Sequence, residues 1–323
     1  MNSVKSEKNQ LGMIRQLWSK YSIIFVFIIL FAICALLTNG KFAEWKNITT
    51  IFRNSSTIGI IALGMTFVII SGGIDLSSGP VMATAGLILV NLQKSGAPLV
   101  LAILACIAVA SAFGFINGII TTKIKVPPFI VTLATGIIAR SVTMYLGNGA
   151  TITGNNQDTF FKSIGNGSIL TVPTPFIIMV VVAILLTILL VKTKFGTFVF
   201  AVGCNEQAAK YSGIKVDRIK ILTYVIAGIC VGIAGTLETS KMVAVSATTT
   251  GEGYEFDAIT MVLVGGTSLA GGRGTIYGTI IGAIILFFVN NMMIQLTISP
   301  YLTGAVKGLV ILIAVLLQAR SKN

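Results

Sequence analysis

The sequence contains no histidine and little charge: 10 Asp and Glu and 23 Lys and Arg among 323 residues, 10% in all. Without histidine the chain lacks the usual acid–base group of neutral pH and the commonest metal ligand. A hydrolytic nucleophile–base pair or a metal centre is therefore not expected, and neither is a cofactor. Cysteine is scarce too. Cys34, Cys106, Cys204 and Cys230 lie far apart with no CxxC pairing, and three of them sit in apolar runs. They read as small core residues, not as metal ligands or disulfide partners. Soluble domains carry about 25% charged residues, and a chain with so few cannot cover its surface against water. A disordered chain would be polar and highly charged. The 34 glycines have no collagen-like period. The formal charge of +13 comes without a basic stripe interleaved with aromatics, so nucleic acid is not an expected partner.

What the chain has is apolar length, with 54% hydrophobic residues and a mean hydropathy of +0.93. Apolar runs fall at 21–38, 57–70, 80–92, 98–122, 127–147, 173–192, 221–238, 256–272, 275–296 and 301–318. A full membrane span needs roughly 20 helical residues. The runs 57–70 and 80–92, separated by Ser71 to Gly79, are either two spans extended by their flanks or two halves of one broken span. Charge placement favours two. Ten spans with a cytoplasmic N-terminus put fifteen of the 23 basic residues inside and six outside, with Arg140 and Lys307 within runs. Merging the pair would turn the six bases of 192–220 outward, against the positive-inside bias. The expected fold is an all-α polytopic membrane protein with about ten transmembrane helices and both termini cytoplasmic. Residues 1–20 form a cytoplasmic segment, 21–318 the transmembrane unit and 319–323 a cytoplasmic tail. No small-x-small cleavage site closes the first run, which reads as a retained span.

Small residues recur at helical spacing: Gly114 with Gly118, Gly228 with Gly232, Gly274 with Gly278 and Gly282, and Gly304 with Gly308. Four-residue spacing places each set on one helix face, where backbones approach closely. Generic helix packing and a mobile transport route both use such faces. Gly72 to Gly79 (GGIDLSSG) aligns without gaps on Gly265 to Gly272 (GGTSLAGG), sharing four of eight positions. Glycine pairs in apolar runs break helices, which a membrane tolerates where the freed backbone faces protein or a cavity. Internal repeats are common in transporters. The breaks make Ser71, Gly72, Gly73, Gly265, Gly266, Thr267 and Ser268 candidates for a pathway, together with Asn117. Asp75 has two readings. It handles substrate or ions, or it caps the helix that starts near Pro80 with the help of Ser77 and Ser78.

The inner loop 193–220 holds a short helix-forming stretch. Asn205 suits the N-cap, Glu206 suits the positive end of the helix dipole, and Gly213 ends the helix. On its own this is equally an amphipathic segment on the membrane surface. The outer loop 239–257 sets Glu252, Glu255 and Asp257 against one base, Lys241. These carboxylates are either a solvated loop or a docking surface that gives registry to a basic partner.

At these residues the chain resembles the permease subunit of ATP-binding-cassette sugar importers of the ribose type. Glu206 to Gly213 (EQAAKYSG) is similar to that superfamily's coupling helix, which docks on a cytoplasmic ATPase. Ile70 to Ser77 (ISGGIDLS), Gly253 to Ile259 (GYEFDAI) and the Gly265 to Gly272 segment look like ribose-permease signatures, in order, over about residues 20–318. Glu252 and Phe256 depart slightly from the familiar pattern around Tyr254. The resemblance implies a docking element of Asn205, Glu206, Ala208, Ala209 and Gly213, and partners for it. These are a cytoplasmic ATP-binding subunit of the tandem-ATPase kind, an extracytoplasmic sugar-binding protein and a second permease copy as a homodimer, in the lipid of a bacterial-type cytoplasmic membrane. No GxxxxGK[ST] occurs, so this chain does not cradle nucleotide phosphates by that route and is not itself the enzyme. The implied cargo is a monosaccharide, ribose or a related pentose first, with a hexose, cyclitol, nucleoside or furanose-like signal as alternatives. An ion-coupled secondary transporter is the reading outside this class; it would couple through ionisable groups, and Asp75 stands nearly alone.

Overall fold

A computed structural model describes residues 31–154 and 158–299, with single positions 28, 302, 304–306, 308, 309 and 312. Residues 31–37 are helical and lead through a 3-10 turn at Lys41–Ala43 into α1, Trp45–Ile70. Then follow α2 (Ser78–Lys94), α3 (Leu99–Ile119, carried on by a π turn at Ile120–Ile124) and α4 (Pro128–Leu146). A short α5 (Thr159–Asn166) precedes α6 (Thr174–Lys192), α7 (Lys194–Cys204) and α8 (Glu206–Tyr211). The described chain continues with α9 (Val216–Met242), α10 (Tyr254–Val264) and α11 (Ile276–Gln295). Strand β1 (Thr151–Thr153) pairs antiparallel with β4 (Ala244–Ser246), tying the loop after α4 to the loop after α9. Strands β2 (Ser168–Ile169) and β3 (Val172–Pro173) form a second small pair.

Each apolar run between residues 57 and 296 holds a helix of its own. The α1, α4, α6, α9 and α11 helices, and α3 with its π turn, are long and apolar enough to cross a membrane. The runs 21–38 and 301–318 lie largely outside the described residues, as do 1–20 and 319–323. Two runs are shorter than a full span. At 1.5 Å per residue the 17 residues of α2 reach about 26 Å. The 11 residues of α10 reach about 16 Å, half of the roughly 30 Å hydrocarbon core. The expected span 256–272 is thus corrected to a half-length helix followed by irregular chain, because Gly265 and Gly266 end it at Val264.

The helices are arranged against their apolarity. Most of α1 is enclosed, with 89% of its apolar window inside the protein, against 22% for α3 and 28% for α6. Yet α3 and α6 are almost wholly aliphatic, while α1 carries Ser55, Ser56, Thr57, Gly59, Gly64 and Thr66. Lipid accepts an aliphatic surface as readily as protein does, so aliphatic content does not draw a helix inward. Small and hydroxylated residues do, because close-packed backbone and hydrogen-bonding groups match them. Thr66 Oγ1 lies 2.7 Å from Thr279 Oγ1, joining α1 to α11. Gly64 packs on Ala227 and Cys230 of α9. Between α3 and α9 the glycine faces interlock: Gly114 and Gly118 lie on the backbone of Tyr224 and Ile221, and Gly228 and Gly232 on that of Ala110 and Ile107.

Candidate functional site

Two helix breaks organise the interior. At the end of α1 the Gly72 amide donates to Ile69 O at 3.0 Å and the Gly73 amide to Val68 O at 2.8 Å, with Gly72 at φ +83°. That is a Schellman turn, which needs a left-handed residue and so favours glycine. At the end of α10 the Gly266 amide donates to Leu263 O at 2.9 Å and the Thr267 amide to Val262 O at 3.1 Å, with Gly266 at φ +87°. The repeat is therefore structural, with its register shifted. Gly72 corresponds to Gly266, one residue away from the Gly72–Gly265 pairing of the sequence alignment.

After the first break the chain is buried and its polar groups are gathered by side chains from three helices. Asp75 Oδ1 accepts from the Ser77 amide at 2.8 Å and the Ser77 hydroxyl at 2.6 Å. Asn117 of α3 donates through Nδ2 to Ser77 Oγ at 2.9 Å and accepts from Thr135 of α4 at 2.7 Å. Tyr224 of α9 donates to Ile74 O at 3.2 Å. Ser71, also buried, donates to Val68 O and lies 3.2 Å from the Thr223 hydroxyl. Asp75 thus serves an Asx turn ahead of α2, whose N-cap is Ser77 without a side-chain cap bond. Tyr224 and Thr135 escaped the reading of the sequence. Each is one of several hydroxyl residues in the apolar runs 221–238 and 127–147, so nothing local set them apart.

The second break is held mainly through backbone. Gly265 packs on Gly278 of α11, and Ser268 donates its amide to Arg273 O at 3.0 Å. Thr267 is buried against Gly274. The Gly272 amide donates to Ile70 O, the last carbonyl of α1, at 2.9 Å. Gly203 near the end of α7 packs against that same carbonyl and against Gly272. Both breaks therefore meet α7 at its C-terminal end.

The next helix in the chain is α8. Asn205 Oδ1 caps it by accepting from the Ala208 amide at 3.0 Å. Glu206 pairs with Lys220 at 2.5 Å, and Gly213 at φ +82° closes the helix over open space. Ala209 is buried; Ala208 and Tyr211 are exposed, leaving a slim surface with one projecting ring. Behind α8 opens a cavity of about 780 Å³ with Gly72 at its wall. Lys123, Lys125, Lys210, Lys215, Arg218 and Lys220 line it with Glu206 and Asp217, so its field is positive.

The three carboxylates expected together at an outer docking surface are separated by the fold. Glu252 is exposed, whereas Glu255 and Asp257 are buried in the first turn of α10. Glu255 lies over Gly79, at the start of α2. In this conformation Glu252 alone of the three is open to the surface. Arg140 holds the loop before them, donating to Ala247 O at 3.1 Å and Thr250 O at 2.7 Å. Among the described residues no group of His, Cys, Asp or Glu could hold a metal ion.

Residues 47–315 match the family described as "Branched-chain amino acid transport system / permease component". The chain is 43% identical over 296 residues to the ribose import permease protein RbsC of Bacillus subtilis (strain 168), covering 92% of each. It is 42% identical over 291 residues to the Haemophilus influenzae protein of the same name, covering 90% of each. With the D-allose transport system permease protein AlsC of Escherichia coli (strain K12) it shares 34% over 302 residues, 93% of this chain and 92% of that one. No solved structure matches.

Proposed function

We propose, because the chain belongs to that permease family, that it is the membrane-spanning subunit of an ATP-driven importer for a monosaccharide, ribose first. The observation that carries this reading is identity above 40% to two ribose import permeases over nine-tenths of the chain. The family description names branched-chain amino acids, but the full-length relatives above are sugar permeases, and they decide the cargo.

In this reading the protein sits in a bacterial cytoplasmic membrane with both ends inside, crossing ten times, the α10 crossing being completed by irregular chain, and two copies form the pathway. An extracytoplasmic protein delivers the sugar. A cytoplasmic ATPase, which supplies the nucleotide motif this chain lacks, seats α8 in a groove. Ala208 and Ala209 keep the seat slim, Asn205 and Glu206 fix the start of the helix, and Gly213 permits the exit turn. When ATP closes the ATPase, α8 moves with it. The connection inward is short: Asn205 adjoins Cys204 and Gly203, which bear on Ile70 of the first break and Gly272 of the second. Displacing α7 shifts both breaks together, which alternates the access of the residues between them. Ser71, Asn117, Thr267 and Ser268 stand close to that movement.

The test is ATP hydrolysis by the complete assembly in proteoliposomes, with ribose-loaded binding protein on the outer side. Stimulation is expected with the native chain and its loss with Glu206→Lys or Gly213→Pro at normal membrane insertion. Unchanged stimulation in both variants would remove α8 as the docking element. Uptake driven by an ion gradient through this chain alone would replace the ATP-driven reading with a secondary transporter.

A further inference from the structure

At the end of α1 opposite to the breaks, α1 and α11 line a second, half-open cavity, of about 390 Å³. Its size lies within the roughly 300–1,000 Å³ of small-molecule sites and far above the about 30 Å³ of one water. Ile51 and Asn54 reach it from one face of α1, and Phe287, Asn290, Asn291 and Ile294 from one face of α11. Asn47, one turn before Ile51, accepts from Asn291 Nδ2 at 2.9 Å. The Oδ1 atoms of Asn290 and Asn291 are buried and have no hydrogen-bond partner among the described residues.

Three amides on facing stripes of two membrane helices need an explanation, because an unpaired amide oxygen away from water is strongly disfavoured. Turning the Asn290 amide about its soft terminal torsion breaks no bond of its oxygen and swings an acceptor or a donor into the cavity. Amides both accept and donate, as neighbouring hydroxyls do. Phe287, Ile51 and Ile294 offer apolar walls to C–H faces. The described lining carries no charged side chain, so a neutral solute fits better than an ion.

Resting on the importer reading, we propose that this cavity is a low-affinity subsite for a neutral sugar, with Asn54, Asn290 and Asn291 meeting its hydroxyls. Weak binding suits a route that must release its cargo. The first test uses Asn290→Cys in a chain with Cys204→Ser, which removes the exposed native thiol among the described residues. The protein is reconstituted in nanodiscs and treated with a charged methanethiosulfonate reagent, with and without millimolar ribose. The introduced thiol should react, and ribose at twice its dissociation constant should slow it about threefold. A thiol that never reacts, or reacts equally with and without ribose, overturns the subsite.

The second test places Asn290→Leu and Asn291→Leu in the complete assembly. Ribose uptake should fall about tenfold, the size expected for a lost buried hydrogen bond. ATP hydrolysis stimulated by loaded binding protein should persist. Unchanged uptake, or uptake and stimulation lost together, overturns the proposal. Absence of stimulation with the native chain would overturn the importer reading instead, so the two failures stay distinguishable.

Discussion

At the end of α1 the chain turns through Gly72 and is then caught by side chains, Asp75 and Ser77 from the break itself and Asn117, Thr135 and Tyr224 from three other helices. At the end of α10 it turns through Gly266 by the same two backbone bonds. The second break is held by glycine contacts and main-chain bonds, Gly265 on Gly278 before the turn and Gly272 on Gly203 and Ile70 beyond it. Exposure accounts for the difference. Residues 73, 75, 77 and 78 of the first break are buried, whereas Leu269, Ala270 and Arg273 of the second are exposed. A freed backbone shut away from water must find every partner within the protein. One that reaches the surface needs only close packing on its inner side, and glycine supplies that.

Substitutions can break this comparison, beginning with the largest expected effect. A side chain at Gly265 would overlap the Gly278 backbone, so Gly265→Val should cost about 3 kcal/mol through overpacking. The check is a lower unfolding temperature in detergent, with α10 and α11 separating first in hydrogen exchange. Asn117→Leu removes one hydrogen bond each from Ser77 and Thr135, which keep Asp75 and the Thr132 carbonyl as partners, and should cost about 2 kcal/mol. Faster exchange confined to residues 73–78 would locate that loss at the first break. Gly72→Ala meets no atom within 4 Å, leaving only backbone strain at φ +83°. It should cost about 1.5 kcal/mol. A much larger loss would show that the turn, and not its side-chain roof, holds the first break.

The smallest expected effect separates the two readings of Asp75. Asp75→Asn keeps an oxygen that accepts from Ser77, so its stability cost should be no more than about 1 kcal/mol. Normal ribose uptake by that variant would mark Asp75 as a fastener of the Asx turn. Loss of uptake at unchanged stability would give the carboxylate a part in transport.

Local features of the loop 193–220 were legible from the sequence because their bonds span only a few residues. Asn205 caps an amide three positions on, and Gly213 ends the helix that begins at Glu206. The glycine stripes of α3 and α9 were legible as faces, though not as partners of each other. The repeat at the two breaks was visible, but its register was not: four identities over eight residues align Gly72 with Gly265, while the hydrogen bonds align it with Gly266. That Glu255 and Asp257 are buried while Glu252 is exposed was not legible for a related reason. Neighbours in sequence at the start of a helix point to different sides of it, and only packing decides which side is covered.

By itself the sequence determined that the chain is a multi-pass helical membrane protein, where most of its helices lie and where α8 begins and ends. Those properties arise from hydrophobic length and short-range capping, which need no tertiary contact. Only the tertiary structure decided that the polar-dotted α1 sits at the centre with aliphatic α3 and α6 outside. It also decided that α10 is half a span and that Ser77, Asn117 and Thr135 share one buried network. Aliphatic side chains are equally at home against lipid and protein. Burial within a membrane therefore depends on which small and polar groups find partners, and those partners are distant in the chain.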